Sequence, residues 1–193
     1  SSSSRGLGDV YKRQTFFMFK HRLATSEDIS DIQVLMDLSI KKLLGKILNE
    51  NQLEASYESM GLDNQLIKDR TYFLIFKNNL LVGSGGYSYR RTLFGGNHTP
   101  NRSDEMLLPG KDAAKIRAMY THPEWIRQGI GSFVLRLAED ASKEMGFDRC
   151  ELMATLSGIL LYEKKGYKVE EEIDYKSKAG NSVPMYKMIK SLV

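Results

Sequence analysis

Residues 120–132 read Tyr-Thr-His-Pro-Glu-Trp-Ile-Arg-Gln-Gly-Ile-Gly-Ser, and this stretch joins two segments of different periodicity. The residues before it, 114–119, read Ala-Lys-Ile-Arg-Ala-Met and are typical of a β-strand. After it, apolar residues recur at helical spacing, which predicts an amphipathic helix over residues 131–145. The sequence therefore predicts a strand that leads into a glycine-punctuated turn, and a helix that begins directly after that turn.

The composition of this turn suits an anion-binding site. Free backbone N–H groups at a helix start, together with the positive end of the helix dipole, attract negative charge. Gly129 and Gly131 have no side chains, so a pyrophosphate could approach the main chain closely, and Arg127 adds a positive charge nearby. Two glycines one residue apart also fit a purely structural turn, so both interpretations stay open on this pattern alone.

Residues 117–132 resemble the acetyl-CoA-binding motif of the GNAT acetyltransferase superfamily. That motif consists of Arg or Gln, two variable residues, Gly, one variable residue, and then Gly or Ala. The two glycines match, whereas the leading position holds Ile126, and Arg127 and Gln128 follow it. Because backbone N–H groups are the main ligands of the phosphates, this departure weakens the resemblance without removing it.

The resemblance implies that acetyl-CoA is the cofactor and that CoA is a product. It implies that the main chain of one strand pairs with the pantetheine arm, and that a splayed gap separates this strand from the strand that holds residues 152–154. Backbone N–H groups of the first strand would then polarise the thioester carbonyl. The cofactor-binding residues implied in this sequence are Ala118, Met119, Tyr120, Arg127, Gln128, Gly129, Ile130, Gly131 and Ser132.

Residues 161–167, Leu-Tyr-Glu-Lys-Lys-Gly-Tyr, resemble the second GNAT signature, in which a helix ends in a tyrosine-containing turn. The resemblance implies that Tyr162 stands near the thioester sulfur and donates a proton to the departing thiolate, as a catalytic general acid. The alternative is that the ring of Tyr162 only packs beneath the sheet.

A general base is not identified by the sequence. Four carboxylates are candidates by position, and each fits a solvated surface carboxylate better. They are Glu151, Glu124, Asp104 and Glu105. His122, beside Pro123, is interpreted as a structural residue of the turn.

The remaining pattern predicts the elements around this unit, and the resemblance places them in an α/β fold of the α+β type. Its central sheet would be mixed, largely antiparallel and twisted, with helices on both faces. The predicted strands lie at residues 19–23, 71–76, 80–87, 150–155, 167–169 and 183–189, and the predicted helices at residues 27–48, 52–60 and 157–166. Thr25 and Asp28, three positions apart, predict the start of the first helix, and Gly45 could bend it or end it early. Glycines at positions 83, 85 and 86 predict a bulge or a close approach to that strand.

Residues 90–112 form a long connection without clear periodicity. Such connections are often functional, and this one would lie near the place where an acceptor reaches the cofactor. The alternative interpretation, that this connection is a surface insertion or a dimer contact, has the same weight as the functional one. Two further acceptor-site candidates are the region of residues 49–70 and the C-terminal hairpin around residues 176–183, but the identity of the acceptor is not predicted.

Composition sets bounds on the class of protein. The chain has 193 residues, of which 41% are apolar, enough for one full core. The segment Ser1–Gln14 resembles a translated cloning adaptor, which leaves residues 15–193 as a single domain. That segment carries half of the net charge of +4, so the charge is weak support for a nucleic-acid partner.

Cysteine and histidine content points to a reducing compartment and to no metal site. The single cysteine, Cys150, excludes an internal disulfide framework and fits the cytoplasm, and it is interpreted as a small core residue. The three histidines are dispersed, so no metal-ligand cluster is visible. The sequence contains no run of about eighteen apolar residues, so it predicts no membrane span.

The resemblance to the GNAT superfamily implies an acetyl-CoA-dependent N-acetyltransferase. It would move an acetyl group to a primary amine of a small molecule or peptide, by direct attack in a ternary complex, without nucleic acid or membrane. Dimers are frequent in the resembling family, so a homodimer is an open expectation. The alternative is a catalytically inactive acyl-CoA-binding sensor or interaction module with the same fold.

Overall fold

The structure, a computed structural model, describes residues 18–193. The adaptor-like segment of residues 1–14 and the adjoining residues 15–17 lie outside the described residues, so the predicted domain limit stays a prediction.

The architecture is built on one seven-stranded sheet. Its strands are β1 (Lys20–Leu23), β2 (Tyr72–Lys77), β3 (Leu80–Ser88), β4 (Ala114–Thr121), β5 (Arg149–Ala154), β6 (Lys168–Lys176) and β7 (Ser182–Ser191). Their spatial order is β1-β2-β3-β4-β5-β7-β6. All neighbours are antiparallel except β4 and β5, which are parallel. The predicted mixed, largely antiparallel sheet is confirmed.

The helices differ in detail from the prediction. They are α1 (Ile29–Leu43), α2 (Glu50–Ser59), α3 (Asn64–Lys68), α4 (Ile130–Glu144) and α5 (Ile159–Lys164). The helix predicted over about residues 27–48 is shorter, because 3-10 turns at Ser26–Asp28 and Leu44–Lys46 flank α1. The second turn contains Gly45, where the sequence predicts a bend or an early end. The helix α3 was not predicted, since five residues are too few for a periodic pattern.

A capping box and an ion pair hold the start of α1. The backbone N–H of Thr25 donates to Asp28 Oδ2 at 2.8 Å. Arg22 donates to both carboxylate oxygens of Asp28, at 2.7 and 2.8 Å. These charged hydrogen bonds from Arg22 favour the ionised carboxylate, so the pKa of Asp28 falls to about 2.

Helices cover both faces of the sheet, as predicted. On one face, α1 and α2 pack on β2, β4 and β7 through a cluster that includes Ile32, Met36 and Leu74. On the other face, α4 lies close to β3. A side chain at Gly85 would collide with Met119 and with Val134 of α4, so only glycine allows this approach.

The sheet splits between its two parallel strands. β4 and β5 pair only at Ala114 with Cys150 and at Lys115 with Glu151. Both strands continue past this point without pairing to each other, and a cavity lies between them. The predicted splayed gap is therefore present.

A bulge accompanies the split. Between β3 and β4 the register passes from Ser84 opposite Tyr120 to Gly86 opposite Arg117, so β4 contains one extra residue. Ala118 lies within this bulge with a φ of 53°. Non-glycine residues with positive φ are uncommon and often mark functional sites.

Candidate active site

The cavity between β4 and β5 has a volume of about 80 Å³. It reaches both faces of the sheet. Met119 and Leu152 pack with the cluster beneath α4 and α5, whereas Ala118 and Tyr120 pack with the cluster beneath α1 and α2. Its lining residues are Ser59, Met60, Gly61, Leu93, Phe94, Gly95, Ile116, Arg117, Ala118, Met119, Tyr120, Leu152, Met153, Thr155, Tyr162 and Met185. A ligand in this cavity could therefore be reached from either face.

Tyr162, on α5, lines the cavity. Its side chain is 8% exposed, and its ring meets Tyr167 edge-on with centroids 5.9 Å apart. Burial raises the pKa of Tyr162 well above its usual range, so the phenol keeps its proton at neutral pH. Among residues 18–193 the Tyr162 hydroxyl has no hydrogen-bond partner. The ring thus packs beneath the sheet, while the same side chain borders the cavity.

Tyr120 contributes a second phenol to the cavity lining. Its hydroxyl oxygen accepts a hydrogen bond from the backbone N–H of Gly61 at 3.2 Å. Burial raises the pKa of Tyr120 to about 12. The sequence had assigned a role only to the main chain of Tyr120, because the alternation of β4 could not be followed through an unrecognised bulge.

The turn between β4 and α4 has the geometry of an anion site. Arg127 and Gly129 both have positive φ, 61° and 84°, and α4 begins at Ile130. Within residues 18–193 no side chain caps this helix start, and the first intrahelical bond runs from Phe133 N–H to the Gly129 carbonyl at 3.0 Å. The first N–H groups of α4 therefore have no intrahelical partner and are available to an anion.

Two neighbours fix this turn in place. His122 accepts a hydrogen bond at Nδ1 from the backbone N–H of Glu124 at 3.1 Å, as expected of a structural residue. At Gly131, an added Cβ would lie 2.7 Å from Leu161 Cδ2. The start of α4 consequently touches α5, the helix that holds Tyr162. The two segments singled out in the sequence meet here.

The four carboxylates considered as general bases do not line the cavity. Glu124 and Asp104 are exposed, and exposed Glu105 pairs with Arg91 at 2.8 Å. Glu151 differs from the surface prediction, because Lys115 pairs with it at 2.6 Å in a half-buried position. The general base stays unassigned.

A buried ion network that the sequence analysis missed holds the rim of the cavity. Arg117 donates to Asp63 Oδ2 and Arg102 donates to Asp63 Oδ1, both at 2.9 Å. The side chains of Arg117 and Asp63 are only 3% and 1% exposed. The sequence feature that could have revealed this network is Arg117, since a cation within an apolar strand needs a buried carboxylate as its partner.

The same guanidinium groups bind the backbone of the 90–112 connection. Arg117 donates to the carbonyls of Thr92 at 3.1 Å and Gly95 at 2.6 Å, and Arg102 donates to the Gly96 carbonyl at 2.9 Å. This places Leu93–Gly95 in the cavity lining. The first part of the 90–112 connection therefore lies beside the candidate site, at the position that its functional interpretation requires.

The residues present suit a ligand such as acetyl-CoA in two respects. Uncapped N–H groups and Arg127 at the start of α4 suit a pyrophosphate, and the unpaired edge of β4 suits an extended amide-bearing arm. A strand-to-helix turn suited to an anion, next to a split sheet with a buried phenol, is the arrangement that the resemblance to the GNAT acetyltransferases implies.

A family model described as the acetyltransferase (GNAT) family matches residues 39–167. The chain belongs to this family. It is an N-acetyltransferase of the GNAT type, and its cofactor is acetyl-CoA. Acetyltransferases of this family act on amine acceptors.

Solved structures share the fold. A GCN5-related N-acetyltransferase from Rhodopseudomonas palustris is 18% identical with a TM-score of 0.66, covering 90% of this chain and 95% of its own. PaiA N-acetyltransferase from Thermoplasma acidophilum, solved with coenzyme A, is 17% identical with a TM-score of 0.60, covering 90% and 98%. An N-acetyltransferase from Staphylococcus aureus is 15% identical with a TM-score of 0.61, covering 91% and 99%. At these identities the likeness establishes the fold alone.

No curated protein sequence matches the chain significantly. Within residues 18–193, none of the helices has the length and apolar character needed to cross a membrane, and no group of three metal-binding side chains gathers.

Proposed function

We propose that the chain transfers the acetyl group of acetyl-CoA to a primary amine of a small molecule or peptide, by direct attack in a ternary complex. The observation that carries this proposal is the cavity at the split of the sheet, with Tyr162 in its wall and the uncapped start of α4 beside α5. Acetyl-CoA supplies the activated acetyl thioester when bound.

Two sets of residues would hold the cofactor. The pyrophosphate would lie at the turn, on backbone N–H groups, with a positive charge from its side chains. The pantetheine arm would lie along the unpaired edge of β4. The turn residues are Arg127, Gln128, Gly129, Ile130, Gly131 and Ser132, and the strand residues are Ala118, Met119 and Tyr120.

Tyr162 is the proposed general acid. Its hydroxyl would donate a proton to the sulfur atom, where negative charge develops as the C–S bond breaks. The raised pKa of Tyr162 keeps this proton on the phenol at working pH. Such general-acid help is worth about 10²–10⁴ in rate.

Direct attack of the amine on the thioester is supported by the burial of Cys150, the single cysteine of the sequence. Cys150 is fully buried, and burial raises the pKa of its thiol to about 11. A buried, protonated thiol is a poor nucleophile. Cys150 is therefore a core residue rather than the carrier of an acetyl-enzyme intermediate.

Backbone N–H groups on the free edge of β4 are proposed to polarise the thioester carbonyl. Beyond Lys115, no strand in the described part of the chain pairs with the edge of β4 that faces β5. Donors fixed in this way stabilise a developing oxyanion without reorganisation.

Calorimetric titration with acetyl-CoA tests this function. We expect wild-type binding and its loss in Gly129→Glu, because a carboxylate there would repel and obstruct the phosphates. The matched control is Gly180→Glu, since Gly180 has the same φ of 84° and open space around it. If the wild type fails to bind acetyl-CoA, the proposal is wrong. If it binds and releases no thiol with any amine, the chain is the acyl-CoA sensor instead.

A further inference from the structure

We infer that the acceptor is a primary amine carried on an apolar group, which binds against Phe94 and the methionine side chains of the cavity. This inference rests on the proposed acetyl transfer. It names the substrate class of the same site.

Methionine is the most frequent residue type among the residues that line the cavity. Four methionines contribute: Met60, which directly follows α2, and Met119, Met153 and Met185 on β4, β5 and β7. Methionine side chains are polarisable and adapt their shape to apolar partners, and their sulfur atoms contact aromatic rings favourably. A lining of this kind suits an alkyl or aryl group.

Arg117 is the one charged side chain among the described lining residues. Its guanidinium already donates to the Asp63 carboxylate and to the carbonyls of Thr92 and Gly95. An acceptor with a second ammonium or with a carboxylate would lose hydration here without gaining an ionic partner. Such unpaired burial is strongly unfavourable. The lining therefore discriminates against polyamines and amino acids.

Phe94 forms a fixed wall of this site. Its ring meets Tyr175 of β6 edge-on, with centroids 5.8 Å apart. The Tyr175 hydroxyl donates to Glu58 Oε1 at 2.7 Å, which ties the wall to the end of α2. The Arg117 and Arg102 hydrogen bonds hold the backbone on either side of Phe94. The aromatic surface is thus in place before an acceptor binds, which lowers the entropy lost on binding.

A panel of three amines tests the inference: phenylethylamine, spermidine and glycine. Thiol release from acetyl-CoA gives kcat/KM for each. We expect the value for phenylethylamine to exceed the other two by about tenfold or more, because only its remaining atoms are apolar.

Two variants identify the residues responsible. Phe94→Ala should raise KM for phenylethylamine about tenfold and leave the Kd of acetyl-CoA unchanged. Met60→Glu, at a half-buried position of the same wall, should shift the preference toward spermidine by supplying a carboxylate. The matched control for Phe94→Ala is Met106→Ala. Met106 belongs to the same 90–112 connection as Phe94, but it is 53% exposed and does not line the cavity.

The outcomes separate this inference from the proposed function. Equal or better turnover of spermidine or glycine overturns the apolar class, as does an unchanged KM in Phe94→Ala. Acetylation of spermidine or glycine without acetylation of phenylethylamine also overturns the class, whereas binding of acetyl-CoA with no acetylation of any amine overturns the proposed transfer. Failure to bind acetyl-CoA overturns the proposed function itself.

Discussion

Tyr162 combines a packed ring with a hydroxyl that no other described residue binds. The substitution Tyr162→Phe keeps the ring and removes the proton donor. We expect kcat to fall about 10²–10⁴-fold, with the Kd of acetyl-CoA unchanged, because only the step that protonates sulfur is affected. Steady-state kinetics and calorimetry measure the two quantities.

The control for this variant is Tyr87→Phe. Tyr87 is equally buried, its hydroxyl contacts Met145 Sδ at 3.1 Å, and it does not line the cavity. Its kcat should match the wild type. A Tyr162→Phe enzyme with wild-type turnover would remove Tyr162 from the mechanism.

Asp63 is the residue on which the buried ion network depends. Asp63→Asn would leave the Arg117 charge buried without its counterion, and loss of one partner of such a pair costs about 3 kcal/mol. Urea denaturation should show this decrease in the free energy of unfolding. Asp140→Asn is the control, because its pair with Arg136 spans 3.8 Å between side chains that are both 67% exposed. A change below about 0.5 kcal/mol is expected there, and an equally small change in Asp63→Asn would contradict the role of the network.

At the scale of elements, the start of α1 makes stability depend on pH. The folded pKa of Asp28, about 2, lies below the unfolded value near 4. Its contribution is therefore complete above pH 4 and is lost as pH falls toward 2. At pH 7, Asp28→Asn should lower the free energy of unfolding by about 1 kcal/mol.

Denaturation of wild type and Asp28→Asn from pH 7 to pH 2 checks this dependence. The gap between the two free energies should narrow as pH falls from 4 to 2, because the unfolded Asp28 carboxyl becomes protonated over this range while the folded one is still about half ionised at pH 2. Glu27→Gln, an exposed change in the same turn, is the control. A gap that stays constant down to pH 2 would show that charge is not involved.

The sequence predicted elements wherever periodicity and punctuation agreed. The hairpin of β2 and β3, the strand β4 and the helix α4 lie within a few residues of their predicted limits. Thr25 and Asp28 predicted the start of the first helix, and the capping box is present. Gly45 predicted a bend or an early end of the first helix, and the 3-10 turn Leu44–Lys46 lies there. The spacing of the apolar residues did not predict this turn, because they continue the helical pattern.

Parts of the candidate site that depend on contacts distant in sequence were beyond prediction. The local motif placed Tyr162 and the turn at Gly129 correctly relative to their helices. The contact of Arg117 with Asp63 spans 54 positions, and Asp63 is the N-cap of α3, a helix that was itself unpredicted. Without that contact, nothing in the sequence fixes Phe94 beside the cavity. The assigned roles of these residues stay predictions until tested.

At the scale of the whole molecule, bound acetyl-CoA should raise thermal stability. A ligand at one hundred times its Kd adds about 2.7 kcal/mol, which corresponds to a rise in Tm of about 5–10 °C for a chain of this size. Differential scanning fluorimetry should show this rise in the wild type and in Gly180→Glu, and no rise in Gly129→Glu. An equal rise in Gly129→Glu would place the cofactor elsewhere.

The short pairing of β4 with β5 divides the sheet into two parts, called leaves here: one leaf contains β1 to β4, and the other contains β5, β7 and β6. Only the short paired segment of β4 and β5 joins the two leaves. In this paired segment, Ala114 lies opposite Cys150 and Lys115 lies opposite Glu151. The ion pair between the side chains of Lys115 and Glu151, at 2.6 Å, stabilises the end of the segment. We expect the angle between the leaves to be the softest coordinate of the sheet, because no hydrogen-bond ladder opposes its change beyond that point. A molecule that lies in the gap would set this angle. The stiffness of the protein, and not only the occupancy of its site, would then report what is bound.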